Sequence, residues 1–256
     1  MISMKHFKTT GAVLRSRPLG ESDRLVTLLT WEKGKIGAVA KGARKTKSKL
    51  AAGVDLFVYG NYVLYEGKNL ATITQQEILE TFNHLHHQPE GYAYASYFAE
   101  LAEKILMEGE KNVPVSNLLL EGWRALEGVK DYNLLARAFE IKLLSSSGYH
   151  PYFDGCINCG SRDREYFSSR MGGLVCYNCV ARDSMAISFA PGTVSLVNYF
   201  LTRDLTETDV IKAGSGQKSE LYAFTTGLME HYLDIRECKS LQYIKQHFSS
   251  SSRKLS

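Results

Sequence analysis

Hydrophobic and polar positions change their spacing near residue 82, and that change divides the chain. Before it, short runs rich in Val, Ile, Thr, Tyr and Phe occupy 12–15, 25–30, 36–41, 54–65 and 70–79. Such runs predict β-strands. Gly11, Gly20, Gly34, Gly53 and Gly67 punctuate them, and Glu66-Gly67-Lys68 reads as a hairpin tip. No helical pattern separates the runs, which argues against a parallel α/β sheet. Five short strands in so few residues predict a small closed barrel, and the five-stranded OB-fold is the common nucleic-acid-binding version.

After residue 82 the period becomes helical. Tyr94, Phe98, Leu101 and Ile105 share one face, and Leu118, Leu119 and Trp123 share another behind Pro114. Asp131 predicts the N-cap of a third helix, which carries Leu135, Phe139, Leu143 and Leu144 and stops at Gly148. Pro191 opens a further helix with Leu196, Val197 and Phe200, and a last long helix is expected from Lys218 to Cys238. The expected class is α+β multidomain. An OB-fold β-barrel spans 1–80, an all-α helical domain spans 81–152 and 183–248, a four-cysteine zinc module at 153–182 is inserted in it, and 249–256 is a flexible tail. The segment 83–91 reads as a linker, and its three histidines, His84, His86 and His87, read as solvated linker residues rather than metal ligands.

Cysteine spacing adds chemistry to this outline. Cys156, Cys159, Cys176 and Cys179 form two C-x2-C pairs separated by sixteen residues. Each pair places two thiolates on one tight turn, and two such turns supply a closed tetrahedral S4 site. Gly160, directly after the second cysteine, suits a turn that needs positive φ. One structural Zn²⁺ per chain is expected, and a closed shell leaves no position for a reacting water. Iron fits the same geometry, and two disulfides are the alternative in an oxidising compartment. Cys238 lies outside the pattern and reads as a buried or half-buried thiol.

Charge is distributed unevenly. The whole chain carries only +4 over 256 residues. Residues 1–80 hold 13 Lys and Arg against 7 Asp and Glu, while 81–256 hold 18 against 20. This asymmetry points to a polyanion-facing barrel and a second region with a protein partner. The densest basic run is KGARKTKSK, where Lys41, Arg44, Lys45, Lys47 and Lys49 stand without an acidic neighbour. It reads as a flexible loop on the barrel rim, suited to phosphate contact. Lys35, Arg15, Arg17 and Arg24 extend the candidate DNA-binding surface. Trp31, Phe57, Tyr59, Tyr62 and Tyr65 could stack on bases, although barrel core is the stronger reading of each. Glu21 and Asp23, flanked by Arg17 and Arg24, read as structural turn or ion-pair residues.

No nucleotide-binding loop, dinucleotide fingerprint, zinc-protease motif or nucleophile elbow occurs, so the chain is not expected to be an enzyme and no catalytic residue is assigned. A zinc base deaminase would need H-x-E, which is absent. An RNA-associated zinc protein shares the basic-barrel and zinc features, and a 2′-OH preference would separate it. The first residues lack a secretory pattern and no stretch approaches a membrane span, so a cytoplasmic, nucleoid-associated location is expected.

Several stretches together resemble one family. They are GESDRLVTLLTWEKGKIGAVAKGARKTKSK, ARAFEIKLLSSSGYHP, the run F-x4-GGL-x-C-x2-C from Phe167 to Cys179, and MEHYLDIRECKSLQYI. In this order they are similar to the RecO family of bacterial DNA repair proteins. The resemblance implies an N-terminal OB-fold, a helical domain and an inserted zinc module. It also implies a recombination mediator that binds single- and double-stranded DNA and anneals complementary strands. Its implied partners are RecR and single-stranded-DNA-binding protein (SSB), with RecA loaded indirectly on SSB-coated strands. An acidic SSB tail needs an apolar pocket rimmed by cations, and Arg236 and Lys239 are the expected partner-binding candidates.

Overall fold

A computed structural model describes residues 6–248; the tail expected at 249–256 falls outside them. Five strands open the chain: β1 (His6–Leu19), β2 (Asp23–Thr30), β3 (Gly34–Ala40), β4 (Val58–Tyr65) and β5 (Ala71–Thr81). They close into a barrel in the order β1-β2-β3-β5-β4. β1 pairs antiparallel with both β2 and β4, and β3 closes the cylinder by a parallel pairing with β5. This is OB-fold topology, as the strand runs predicted.

Strand β4 shows why the barrel forms. Its residues alternate strictly between buried and half-buried, the period-2 signature of a sheet with one inward face. Val13, Val26, Leu28, Val54, Val58, Tyr62, Leu64 and Ile73 meet inside. A bulge between Val13 and Arg15 lets the long strand β1 bend around the barrel and serve two partners. Of the aromatics, Phe57 and Tyr62 are core residues. The Tyr62 hydroxyl donates to the Gly53 carbonyl at 2.7 Å, and burial pushes its phenol well above the ordinary range.

The helices are α1 (Pro89–Ile105), α2 (Val113–Ala125), α3 (Tyr132–Ser146), the short α4 (Tyr177–Val180), α5 (Pro191–Thr202), α6 (Ser215–Leu233) and α7 (Lys239–His247). Their ends follow local rules. Asn112 caps α2 by accepting from the Val115 N–H at 3.1 Å, and Asp131 caps α3 by accepting from Leu134 at 3.1 Å. Pro191 stands in the first turn of α5.

The helix expected over 218–238 stops short of Cys238. Asp234 adopts the left-handed conformation (φ 51°) and ends α6, and a separate helix, α7, begins at Lys239. The helices also divide between two compact units. One unit gathers the barrel, α1, α2 and α7, and the other runs from Gly128 to Cys238. Within the first unit α7 packs on α1 with Ile244 buried. Within the second, α3 packs against α5 and α6. Phe153, Phe167, Phe189 and Phe224 form an aromatic core there, with the Phe167 and Phe224 rings 4.7 Å apart. Strands β6 (Tyr166–Ser168), β7 (Gly173–Val175) and β8 (Ile187–Ser188) make its small sheet in the order β7-β6-β8.

Candidate metal centre and nucleic-acid interface

Two turns build the metal centre. In the first, the Gly160 N–H donates to the Cys156 carbonyl at 2.8 Å, and Gly160 takes a φ of 74° that a side chain would resist. In the second, at the start of α4, the Cys179 and Val180 N–H groups both donate to the Cys176 carbonyl at 3.0 Å. The turns bring all four Sγ atoms within 4.8 Å of one another. Cys159 Sγ and Cys176 Sγ stand 3.7 Å apart. A tetrahedral metal with bonds of about 2.3 Å to sulfur separates its ligands by about 3.8 Å. The donor set therefore fits a four-thiolate metal cage.

Electrostatics point the same way. Burial opposes ionisation of Cys156, but N–H groups of Cys176, Cys159 and Asn158 aim at its sulfur and bring the thiol down to about 6. At Cys159 the Ser161 N–H favours the thiolate, yet the sulfurs of Cys156, Cys176 and Cys179 outweigh it and hold the proton. Four thiolates cannot share this space without a cation. Polar groups support the cage from outside. The Asn158 amide donates to Cys179 Sγ at 3.2 Å, and Arg182 Nη1 donates to Asn158 Oδ1 at 2.9 Å. Asp183 accepts from Ser168 and from the Met185 N–H, tying the segment after α4 back to β6. No disulfide joins any two of the five cysteines. The histidines at 84–87 take another course: His86 packs against the rings of Phe57 and Tyr92 at 5.4 and 5.7 Å.

The basic run is fixed rather than flexible. Ala43 is buried in the barrel core and Leu50 packs against it. The Gly42 N–H donates to Asp23 Oδ1 at 2.8 Å, and the Arg44 N–H donates to the Ser22 carbonyl at 2.9 Å. Arg44 Nη1 reaches the Gly20 carbonyl at 2.8 Å. The run is a chain of turns stapled to the β1–β2 hairpin tip, because two small apolar anchors and one carboxylate leave it little freedom. Hydrogen bonds from Gly42 and Ser22 hold the Asp23 carboxyl below its usual range, with Lys41 and Lys45 adding to the effect. Asp23 is thus a turn residue, as its flanking sequence suggested. Lys41, Arg44, Lys45, Lys47 and Lys49 remain exposed on the outside of these turns.

The other barrel cations divide. Arg17 is exposed and, among the described residues, has no ion pair. Arg24 bonds Ser16 at 3.0 Å and pairs with Asp55 at 3.6 Å. Arg15 and Lys35 both meet Glu103 on α1. Arg15 pairs with its carboxylate at 2.9 Å, and Lys35 Nζ donates to its carbonyl at 2.6 Å. Trp31 donates to Asn117 at 2.8 Å and lies 5.1 Å from the Tyr59 ring, so it also serves the fold. Arg236 and Lys239 belong to different compact units. Arg236 approaches Asp234 at 3.3 Å, and Lys239 opens α7.

Periodicity and spacing gave no sign of one further link. Glu100, one turn before Glu103, accepts from the Lys239 N–H at 3.0 Å and from the Ser240 N–H and hydroxyl at 2.9 and 2.6 Å. A carboxylate 139 positions away thereby caps α7. Burial opposes its charge, but the Ser240 and Lys239 donors prevail and hold it below the ordinary carboxylate range.

Two models of one family together cover almost all of the chain. The family described as Recombination protein O N terminal matches residues 4–82, and Recombination protein O C terminal matches 86–242. The chain belongs to the RecO family. Curated relatives agree. A DNA repair protein RecO from Alkaliphilus metalliredigens (strain QYMF) is 38% identical over 245 residues, covering 93% of this chain and 98% of the relative. RecO of Thermoanaerobacter sp. (strain X514) is 35% identical over 243 residues, covering 94% and 98%. RecO of Bacillus pumilus (strain SAFR-032) is 33% identical over 228 residues, covering 89% and 88%. RecO membership makes this a DNA repair and recombination protein. Among the described residues no helix is long and apolar enough to cross a membrane.

Proposed function

We propose that this RecO-family chain is a recombination mediator that binds single- and double-stranded DNA on its barrel and anneals complementary strands. With RecR it promotes RecA loading on SSB-coated single strands, in the cytoplasm. The observation that carries the DNA reading is the fixed basic rim. Five exposed cations sit on turns held by Asp23, Ala43 and Leu50, with no acidic residue among them. Pre-set cations screen phosphate repulsion without ordering a loop first, and base pairing then drives annealing. Phosphate contacts of this kind carry no sequence information, which suits a general mediator.

The four-cysteine cage is proposed to hold one structural zinc. Its fully occupied sulfur shell would neutralise the clustered thiolates and leave no reacting position. Cys156, Cys159, Cys176 and Cys179 bind it, while Asn158 and Arg182 orient Cys179. Metal analysis should return about one zinc per chain, and the visible absorption of iron-thiolate should be missing. The chain is proposed to turn over no substrate, so annealing proceeds without nucleotide. Arg236 is the proposed contact for an acidic SSB tail, with RecR as a further protein partner; Lys239 opens α7 in the other compact unit.

The deciding experiment is annealing of complementary strands, each pre-coated with SSB. Accelerated annealing without ATP supports the proposal, and inhibition or indifference overturns it. Binding that requires the 2′-OH would move the reading to RNA.

A further inference from the structure

The charge of this chain is arranged in three blocks. Residues 1–80 are net +6, and 81–238, with 14 Lys and Arg against 20 Asp and Glu, are net −6. Residues 239–256 hold Lys239, Lys245, Arg253 and Lys254 and no acidic residue, so the net +4 of the whole protein equals the charge of its last eighteen residues. Sequence places this second basic block as far as the chain allows from the first.

Among the described residues, the fold places α7, with Lys239 and Lys245, in the same compact unit as the barrel. On α1, Glu100 and Glu103 lie one turn apart and so face the same side. Glu103 takes Arg15 of β1 and Lys35 of β3, and Glu100 takes the N-terminus of α7. α7 is therefore docked within a helical turn of the barrel cations and in the same compact unit. Its apolar residues Leu241, Ile244 and Phe248 share one face, at i, i+3 and i+7, with Ile244 buried. The opposite face presents Lys239, Gln242, Tyr243 and Gln246, flanked by Lys245 and His247, all exposed. Tyr243 stacks on His247 with centroids 4.1 Å apart and planes 25° from parallel, and 48% of the tyrosine stays accessible.

From this we infer that α7 is a second nucleic-acid-binding element, a cationic face in the same compact unit as the barrel that offers the Tyr243–His247 pair as a stacking platform for an unpaired base. This rests on the proposed DNA-binding function and adds a location to it. The chemistry selects the occupant. An acidic peptide tail ending in an apolar residue needs an apolar pocket, whereas the apolar side of α7 is turned inward and its outer face is cationic, amide-bearing and aromatic. That combination suits a single strand, whose phosphates and base faces both find partners.

The test uses the full-length protein and fluorescence anisotropy with labelled dT oligomers. One oligomer is about 10 nucleotides, within the reach of one OB fold, and one is about 30. Lys239→Gln with Lys245→Gln should weaken the long oligomer about tenfold and lower the salt slope by about 1.4, while the short oligomer binds nearly as before. Tyr243→Ala, which changes no charge, should weaken the long oligomer about fivefold at unaltered salt slope. Lys45→Glu with Lys47→Glu is run alongside, and circular dichroism confirms each fold. If the α7 variants match the parent on both oligomers while the Lys45/Lys47 variant weakens, the α7 proposal fails and the barrel reading stands. If none of the three weakens, the DNA-binding reading itself fails. If the α7 variants lose an acidic SSB tail peptide and keep both oligomers, α7 serves a protein partner and the proposal is overturned.

Discussion

The barrel and the cysteine segment are both small sheets, and they are held by different forces. The barrel has five strands of seven to fourteen residues that close on one another. Each strand has two neighbours, so the fold leaves no open edge, and eleven buried residues fill the inside. The segment around the cage has strands of three, three and two residues. Three of the four residues in its buried cluster are the cysteines themselves, with Val175. Strands this short bury too little to hold their own shape. Hydrophobic closure should therefore support the first region and metal ligation the second, with the Phe153–Phe224 core joining the cage to its own unit.

Removing the metal should break that comparison most visibly. Structural zinc in small modules is worth about 10–16 kcal/mol of coupled folding energy. Stripping it with a strong chelator, or making Cys176→Ser, should abolish hydrogen-exchange protection across residues 153–189. Strands β1–β5 should keep their protection. Equal loss in both regions would show that the barrel also depends on the metal.

A smaller effect should run in the opposite direction. Leu28 is completely buried in the barrel. Leu28→Ala should cost about 2–5 kcal/mol through poorer packing and the cavity left behind. Thermal denaturation reads the loss, and metal content should stay at the parent value.

Changing the basic rim should leave both supports untouched. Lys45→Glu with Lys47→Glu alters two exposed side chains, so stability should move by less than about 0.5 kcal/mol. Single-strand affinity should fall for all sequences alike, and the salt slope should drop by about 0.7 for each phosphate no longer neutralised. Unchanged affinity and slope would make the rim a solvated turn only.

The smallest effect is acid sensitivity of the α7 cap. Against the opposing effect of burial, the folded Glu100 carboxyl is held below its unfolded value by the Ser240 and Lys239 donors. Its stabilising contribution is present above that unfolded value and is lost as pH falls through the lower folded one. In thermal melts the parent should exceed Glu100→Gln above about pH 5, and the gap should shrink as the pH falls below the unfolded carboxyl's range. A gap that widens in acid would contradict the cap.

Local pattern was enough for the elements and the cage. Runs rich in branched and aromatic residues with glycine punctuation set out five strands because such side chains favour extended backbone, and Asp131 and Pro191 marked helix starts because their side chains satisfy or omit the orphan amide groups. C-x2-C spacing picked out the four cysteines that the fold clusters, because two residues between cysteines make one turn. These are interactions within a few positions, and a sequence displays them directly.

Other features were decided only when distant segments met. The basic run looked flexible by composition. Asp23, Ala43 and Leu50 fix it, and only the folded barrel brings Asp23 to Gly42. Arg15 and Lys35 read as free cations until Glu103 of α1 reached them. Helical periodicity ran on to Cys238 and gave no separate helix after it. Asp234 stops α6 by a backbone conformation that side-chain periodicity does not encode, and Glu100 then captures α7 in the barrel's unit. By itself the sequence determined which residues can form strands, helices and a thiolate cage. Tertiary structure decided which charges remain for a partner, because a carboxylate on another element neutralises a cation or caps a helix wherever the fold delivers it, and no local spacing records that delivery.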